Sequence, residues 1–115
     1  MNQEFRRAKR RKASDTIPVT DTMTEHVIGR IGNLSQTGLL LIASEPLMDD
    51  ALYQLQFALP HEQGALEVEV GAHLLWMDNA SARSQLWAGF RFIALGAEQS
   101  RRLRSWIEAP GSHYE

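Results

Sequence analysis

Two stretches in the middle of the chain alternate between apolar and polar residues, and this alternation constrains the fold more than any other sequence feature. In LYQLQFALP every second residue is large and apolar, and LEVEVGAHLLW repeats the pattern. The residues predicted to face inward are Tyr53, Leu55, Phe57, Leu59, Leu66, Val68, Val70, Ala72, Leu74 and Trp76. Because successive side chains of a β-strand point to opposite faces, a period of two predicts strands with one buried face.

Four further apolar segments, TIPV, HVIGRIGNL, LLLIAS and LWAGFRFIAL, bring the predicted number of strands to about six. Strands laid flat in so short a chain would leave long unpaired edges, whereas closure into a small barrel removes them. In the last segment, Leu103, Trp106 and Ile107 share one face of a helix that Pro110 and Gly111 would end. The sequence therefore predicts an all-β fold with a C-terminal helix at about residues 97–108, namely a six-stranded antiparallel β-barrel covered at one mouth or side by the helix.

The positive charge of the chain is concentrated at its beginning. Residues 1–12 hold six of the twelve Lys and Arg residues and one acid, Glu4, while the other thirteen acids lie further along. The length of 115 residues suits one domain with one core. We expect a flexible basic arm at residues 1–15, the barrel with its helix at 16–110 and a short tail at 111–115. Because the chain beyond the arm is acidic, duplex nucleic acid is not an expected partner.

Several classes of function find no support in the composition. The chain has no cysteine, which excludes disulfides and thiolate zinc sites, and its four histidines lack the spacing of metal ligands. Neither a nucleophile-elbow serine nor a phosphate-binding glycine-rich loop is present. The longest apolar run is too short to cross a bilayer, and the basic start lacks the apolar core of a secretory signal. We therefore expect a cytoplasmic protein that is not an enzyme, needs no cofactor or metal and does not insert into membranes.

Two short motifs are not explained by the barrel. One is RRAKRRK at residues 6–12, a basic run that on its own is typical of a solvated tail. The other is NLSQTG at residues 33–38, where Asn33 and Ser35 point to the same side of an extended segment. Gly38 allows a positive φ and a close approach of a ligand to the backbone. Taken alone, this second motif is also typical of a simple turn between strands.

In this order, the two motifs resemble the signature of the PilZ domain family, in which Arg-x-x-x-Arg precedes (Asp or Asn)-x-Ser-x-x-Gly. The resemblance extends over nearly the whole chain and includes a late W…GFRF pattern. It implies a six-stranded antiparallel barrel that binds the bacterial second messenger cyclic di-GMP. The arginine motif fits as Arg6 with Arg10 or as Arg7 with Arg11. We favour Arg6 and Arg10, with Arg7 as a flanking contact, because family members often show two adjacent arginines and then a third.

The resemblance also implies how the ligand is held. Guanidinium groups bind phosphate as a fork, pair with guanine O6 and N7, and stack on the guanine ring. The implied ligand-binding residues are Arg6, Arg7, Arg10, Arg11, Asn33, Ser35 and Gly38. The arginines would grip the ligand, Asn33 and Ser35 would orient a guanine, and Gly38 would keep the turn tight. In this hypothesis the protein is a stand-alone receptor whose arm orders on binding and signals to a downstream protein partner.

Two other functions are compatible with the same residues. The first is a PilZ-like interaction module that does not bind nucleotide, and the second is a small barrel that binds single-stranded nucleic acid through its arm. The late aromatic residues are expected in the core or at the rim, and an exposed one would favour single-strand binding. The resemblance is compatible with one ligand or a stacked pair, with any oligomeric state, and with control of motility, exopolysaccharide or virulence.

Overall fold

The computed structural model describes residues 8–79 and 85–115 of the chain. In these residues seven strands precede one helix. The elements are β1 (Arg11–Lys12), β2 (Pro18–Asp21), β3 (His26–Leu34), β4 (Gly38–Ala43), β5 (Leu52–Leu59), β6 (Leu66–Asn79), β7 (Leu86–Ile93) and α1 (Ala97–Ile107). The six longer strands lie at the six segments that the sequence pattern predicts as strands.

Strands β2 to β7 close into a barrel with antiparallel pairing throughout. The order around the barrel is β3, β2, β5, β6, β7 and β4, and the pairing of β3 with β4 closes the ring. The short strand β1 adds to the end of β3, where Arg11 lies opposite Leu34 and Lys12 opposite Asn33. The predicted all-β fold, a six-stranded antiparallel barrel with a C-terminal helix, is confirmed.

The hairpin of β5 and β6 supplies a large part of the barrel interior. Its pairing runs without interruption from Leu52 opposite His73 to Leu59 opposite Leu66. The residues that the alternation places inward and that are buried here are Leu55, Phe57, Leu59, Val68, Val70, Ala72 and Leu74. Burying an aliphatic or aromatic side chain of this size contributes about 1.5–3 kcal/mol, so this regular pairing stabilises the barrel strongly.

Helix α1 packs against β6 and buries the predicted apolar face, which consists of Leu103, Trp106 and Ile107. Two polar contacts join it to β6. The amide of Glu69 donates to Gln99 Oε1 at 2.8 Å, and Arg102 Nη1 donates to the carbonyl oxygen of Glu67. Within residues 8–79 and 85–115, no helix is both long and apolar enough to cross a bilayer.

Three of the described pairings contain a β-bulge, at which one strand carries an extra residue. The extra residues are Ile28 between β3 and β2, Gly32 between β3 and β4, and Leu75 between β6 and β7. An extra residue reverses the faces to which the following side chains point. Trp76 consequently lies on the outer face and is 46% exposed, so the prediction that it faces the barrel interior is wrong.

The segments predicted as arm and tail lie side by side where the structure describes them. Arg11 and Lys12 of the arm form β1, and Tyr114 of the tail forms an antiparallel β-bridge with Arg11. The described parts of the arm and the tail therefore meet at β1, beside the NLSQTG motif.

Candidate functional site

Arg10 and the NLSQTG motif meet on the outer surface of the barrel. Arg10 Nε donates a hydrogen bond to Asn33 Oδ1 at 2.7 Å, and Arg10 Nη1 donates to Ser35 Oγ at 3.3 Å. Arg10 is half-buried, Asn33 is 7% exposed and Ser35 is fully buried. The structure thus places Arg10 on both polar side chains of the second motif.

Asn33 lies on the outer face of the barrel because of the bulge at Gly32. Ile31 and Leu34 both face the core although they are three residues apart, a spacing that a regular strand would place on opposite faces. The extra residue shifts the alternation of inward and outward side chains by one position. Asn33, opposite Leu40, therefore points outward, and Leu34 points into the core. Bulges often re-aim a side chain in this way next to functional sites.

Ser35 holds the turn between β3 and β4. Its Oγ accepts hydrogen bonds from the amides of Thr37 at 3.1 Å and Gly38 at 3.2 Å, and it lies 3.0 Å from Thr37 Oγ1. Serine hydroxyls stabilise turns by such local bonds. Since the same oxygen accepts from Arg10 Nη1, one buried hydroxyl couples the shape of the turn to the position of the guanidinium group.

Gly38 is required by the packing of β4 against β7. A Cβ atom at this position would lie 2.1 Å from the carbonyl oxygen of Phe90. A positive φ is not the reason for this glycine, because the positive-φ glycines of the described residues are Gly64 and Gly111. The close approach at Gly38 is therefore one between two strands of the barrel.

The neighbouring arginine of the arm takes a different direction. Arg11 Nη1 donates to the carbonyl oxygen of Trp106 at 2.6 Å, and its guanidinium carbon lies 4.1 Å from the centre of the Trp106 ring system. Arg11 thus attaches the arm to helix α1, whereas Arg10 faces the motif. Arg6 and Arg7, the other two predicted ligand contacts, lie outside the described residues.

A groove of about 450 Å³ opens beside the motif, a volume within the usual range for small-molecule sites. The polar and charged residues that line it are Arg10, Asn33, Thr37 and Arg91. Trp76 and Trp87, which are 46% and 39% exposed, also line it. Two guanidinium groups beside two exposed indole rings suit an anionic ligand that carries flat aromatic groups.

Gly89 leaves space for the indole ring of Trp76. The two residues lie opposite each other in the pairing of β6 with β7, and a Cβ atom on Gly89 would lie 2.2 Å from Trp76 Nε1. The bulge at Leu75 turns the tryptophan outward, and the missing side chain at position 89 lets it lie across β7. Both features are needed to place this ring at the groove.

Thr37, Trp76, Trp87 and Arg91 line the groove but are not among the ligand-binding residues that the sequence predicts. A signal existed for one of them, Trp76, because an isolated glycine inside a strand often marks a bulge or a close approach. Gly32 and Gly89 are such glycines. They accompany the outward turn of Asn33 and the placement of Trp76.

A larger groove, of about 740 Å³, lies between β3 and the ends of β4 and β7. Its described lining is mainly apolar and includes one arginine, Arg30, and one acid, Glu45. It contains no residue of either motif, so the smaller groove fits an anionic ligand better. Within the described parts of the chain, no group of three or more His, Cys, Asp or Glu side chains is placed to hold a metal ion.

Comparison with known sequences gives one family. The sequence profile described as the PilZ domain matches residues 4–109 of the chain. The match covers both motifs, the barrel and helix α1. No curated protein sequence matches the chain.

Comparison with solved structures gives the same fold. The Bacillus subtilis inhibitor of motility (MotI/DgrA) superimposes with a TM-score of 0.72 at 17% identity, over 89% of this chain and 49% of that chain. The PilZ domain with c-di-GMP of YcgR from Escherichia coli gives 0.68 at 17% identity, over 87% and 86%. YcgR in complex with c-di-GMP gives 0.66 at 19% identity, over 90% and 44%. The chain thus spans about half the length of MotI/DgrA and of the YcgR chain in the last structure.

Proposed function

The chain belongs to the PilZ domain family, and from this premise we propose that it is a bacterial cyclic di-GMP receptor, active in the cytoplasm as an adaptor and not as an enzyme. The observation that carries the proposal is the pair of hydrogen bonds from Arg10 to Asn33 and Ser35 at the edge of the groove. The solved structures of YcgR with c-di-GMP support it, because this chain has the same fold.

The chemistry of the groove matches the chemistry of the ligand. Cyclic di-GMP presents two phosphates and two guanines. An arginine can form two parallel hydrogen bonds to phosphate oxygens or to guanine O6 and N7. Arg10 and Arg91 bring guanidinium groups to the groove. The exposed rings of Trp76 and Trp87 offer surfaces on which guanines stack, each stack contributing about 1–3 kcal/mol.

Asn33 and Ser35 act through Arg10 in this proposal. An arginine side chain loses conformational freedom when it binds a ligand, and that loss costs about 1.5–2 kcal/mol for a free side chain. The bonds from Arg10 to Asn33 and Ser35 restrict the side chain before the ligand arrives, so less freedom is lost on binding. Gly38 contributes by keeping the turn close to β7 and the Ser35 hydroxyl in place.

The arm provides the remaining contacts to the ligand and the surface that signals to a downstream protein. Arg6 and Arg7 reach the ligand from the arm, while Arg11 holds the arm to helix α1 through Trp106. Binding orders the arm around these fixed points and presents a new surface to a downstream protein. Hydrogen exchange across residues 1–15 tests this step, because the ligand is expected to slow exchange of the amides that precede β1. Unchanged exchange at saturating ligand contradicts it.

Calorimetric titration with cyclic di-GMP tests the proposed function. The protein should bind saturably, and Arg10→Ala should weaken binding about 10- to 150-fold, the equivalent of a charge-assisted hydrogen bond of 1.5–3 kcal/mol. Adding Arg6→Ala should weaken binding further. Ser35→Ala should weaken it less, because it loosens the turn without removing a charge. Arg104→Ala, which removes an exposed cation of helix α1, is the matched control and should bind normally.

The same titration separates the proposal from its competitors. Equal binding of cyclic di-AMP would show that guanine is not recognised. Absence of binding by the folded protein would favour a PilZ module that works through protein contacts alone.

Exposed Trp76 and Trp87 also favour single-stranded nucleic acid as a second candidate ligand, since such proteins combine aromatic rings with basic residues. A polyanion releases counterions on binding, so its affinity falls steeply with salt and shows little preference for base. Titration with a short oligonucleotide at two salt concentrations therefore distinguishes it from cyclic di-GMP.

A further inference from the structure

Residues 113–115, which we call the strap, lie along the arm on the side of β1 that faces away from β3. The amide of Lys12 donates to the carbonyl oxygen of His113 at 2.8 Å, and the amide of Glu115 donates to the carbonyl oxygen of Arg10 at 2.9 Å. With the β-bridge described above, these bonds make a narrow sheet in which β1 lies between the strap and β3. The backbone of Arg10 is thus held by the strap on one side while its side chain contacts the motif.

Tyr114 anchors the strap to the body of the protein. Its hydroxyl donates to the carbonyl oxygen of Ile107, at the end of α1, at 2.7 Å. The ammonium group of Lys9 lies 5.3 Å from the centre of its ring, a distance at which a cation and an aromatic ring attract each other. The strap is therefore fixed to the helix as well as to the arm.

Glu115 brings a carboxylate to the motif. Asn33 Nδ2 donates to Glu115 Oε2 at 3.4 Å, while Asn33 Oδ1 accepts from Arg10 Nε. A negative charge therefore contacts the residue that positions Arg10. A phosphate bound at Arg10 would lie near this carboxylate, because Arg10 and Glu115 both contact Asn33, and two like charges at short range repel each other.

The amide at position 33 is what permits this arrangement. Asparagine has both an acceptor and two donors, so one side chain can bind Arg10 and Glu115 together. An ionised aspartate has acceptors alone. Aspartate at position 33 would keep the bond to Arg10 and repel Glu115.

We infer that the strap is a regulatory element that restrains Arg10 and Asn33 beside the groove in the free protein and is released when the anionic ligand binds. This inference rests on the proposed function. Ligand and strap compete for the neighbourhood of Asn33 and Arg10, so strap contacts lower the apparent affinity for cyclic di-GMP. Weakening the strap raises that affinity without adding any contact to the ligand.

The test is a cyclic di-GMP titration of the parent protein, Glu115→Gln and Tyr114→Ala. Removing one partly exposed charge interaction is expected to tighten binding about two- to fivefold, and removing the anchor at Tyr114 should have at least that effect. Glu62→Gln is the matched control, because it removes an exposed carboxylate from the turn between β5 and β6. It changes the net charge equally and should leave the affinity unchanged.

Amide exchange measured by NMR reports strap release directly. Ligand binding should speed exchange of the Lys12 amide, because its bond to His113 breaks, while the Ile31 amide, bonded to Ile17 at 3.0 Å in the barrel, stays protected. Asn33→Asp should speed exchange at Lys12 without any ligand, since it repels Glu115.

Three outcomes are decisive. Parent-like affinity in Glu115→Gln and Tyr114→Ala, or a Lys12 amide that stays protected in the complex, overturns the strap while leaving the receptor function intact. Absence of binding by the parent and every variant overturns the receptor function and the strap with it. Binding by Glu115→Gln but not by the parent supports both.

Discussion

The hairpin of β5 and the first half of β6 differs from the groove face, by which we mean β3, β4, β7 and the second half of β6. In the hairpin, eight residue pairs follow one another without a register shift, and inward and outward side chains alternate along it. On the groove face, bulges interrupt the pairing of β3 with β4 and of β6 with β7. The hairpin uses its side chains for the core, whereas the groove face turns selected side chains outward.

The contrast shows how a small barrel can carry a site without giving up its core. A bulge costs some ladder hydrogen bonds but leaves the strands paired on both sides of it. Gly32 and Leu75 are the extra residues, and the side chains that they turn outward are those of Asn33 and Trp76. The two regions should consequently respond differently to substitution, with stability affected in the hairpin and ligand affinity on the groove face.

The largest loss of stability is expected for Leu55→Ala in the hairpin. Leu55 is fully buried in β5, and replacing a buried leucine by alanine costs about 2–5 kcal/mol. Urea denaturation should show this loss in the free energy of unfolding, while the affinity of the remaining folded protein for cyclic di-GMP stays the same.

Gln56→Ala is the control for this variant, because Gln56 is the next residue of β5 and faces outward. Its effect on stability should stay within about 0.5 kcal/mol. If Leu55→Ala weakened ligand binding as much as Arg10→Ala does, the separation of the two regions would be wrong.

Gly38→Ala should affect both stability and binding, because Gly38 lies where the groove face meets the core. The new methyl group would collide with the backbone of Phe90, which cannot move aside as a side chain can. We expect a loss of at least about 1–3 kcal/mol in unfolding free energy together with weaker binding, since the turn shifts Ser35 and Arg10.

Gly96→Ala is the matched control, because a Cβ atom at Gly96 meets no other atom within 4 Å. Thermal denaturation of both variants, with and without cyclic di-GMP, measures the two effects. A Gly38→Ala protein as stable as Gly96→Ala would contradict the steric role of Gly38.

The sequence predicts the hairpin better than the groove face, and the reason is physical. Alternation alone determines which residues of β5 are buried, because an uninterrupted strand has a fixed period. It cannot locate a bulge, so it assigns Trp76 to the interior. The motifs identify Asn33, Ser35 and Gly38, but the strap and the contact of Arg11 with α1 arise from tertiary packing that no local pattern encodes.

Trp76→Ala should weaken cyclic di-GMP binding with little change in stability. Loss of a stacked base costs about 1–3 kcal/mol, which corresponds to a five- to 150-fold higher Kd, while the exposed position of Trp76 limits the effect on unfolding. Trp76→Phe keeps an aromatic face and should recover most of the affinity, whereas Trp76→Leu keeps bulk without the ring and should not. Equal affinities for the phenylalanine and leucine variants would exclude stacking as the role of this residue.

The smallest change in stability is expected for Glu98→Gln in helix α1, near the attachment of the helix to the hairpin. The charge of Arg101 and then the hydrogen bond from Arg102 lower the pKa of Glu98 below its ordinary value of 4.5. A carboxylate whose pKa is lower in the folded state adds stability above its unfolded pKa, and this stability is lost as the pH falls through the folded pKa. Glu98→Gln should therefore be slightly less stable than the parent at neutral pH, and the two should converge well below pH 4.5.

Thermal denaturation between neutral and acid pH, with Glu62→Gln as a control that carries the same change of charge, measures this difference. Arg102 also donates to the backbone of Glu67 in β6, so Glu98 helps to orient a side chain that attaches the helix to the hairpin. Affinity for cyclic di-GMP should not change, because these residues lie outside the groove. A Glu98→Gln variant that loses ligand affinity at neutral pH would show instead that the hairpin side and the groove face are coupled through α1, most directly through the contact of Trp106 with Arg11.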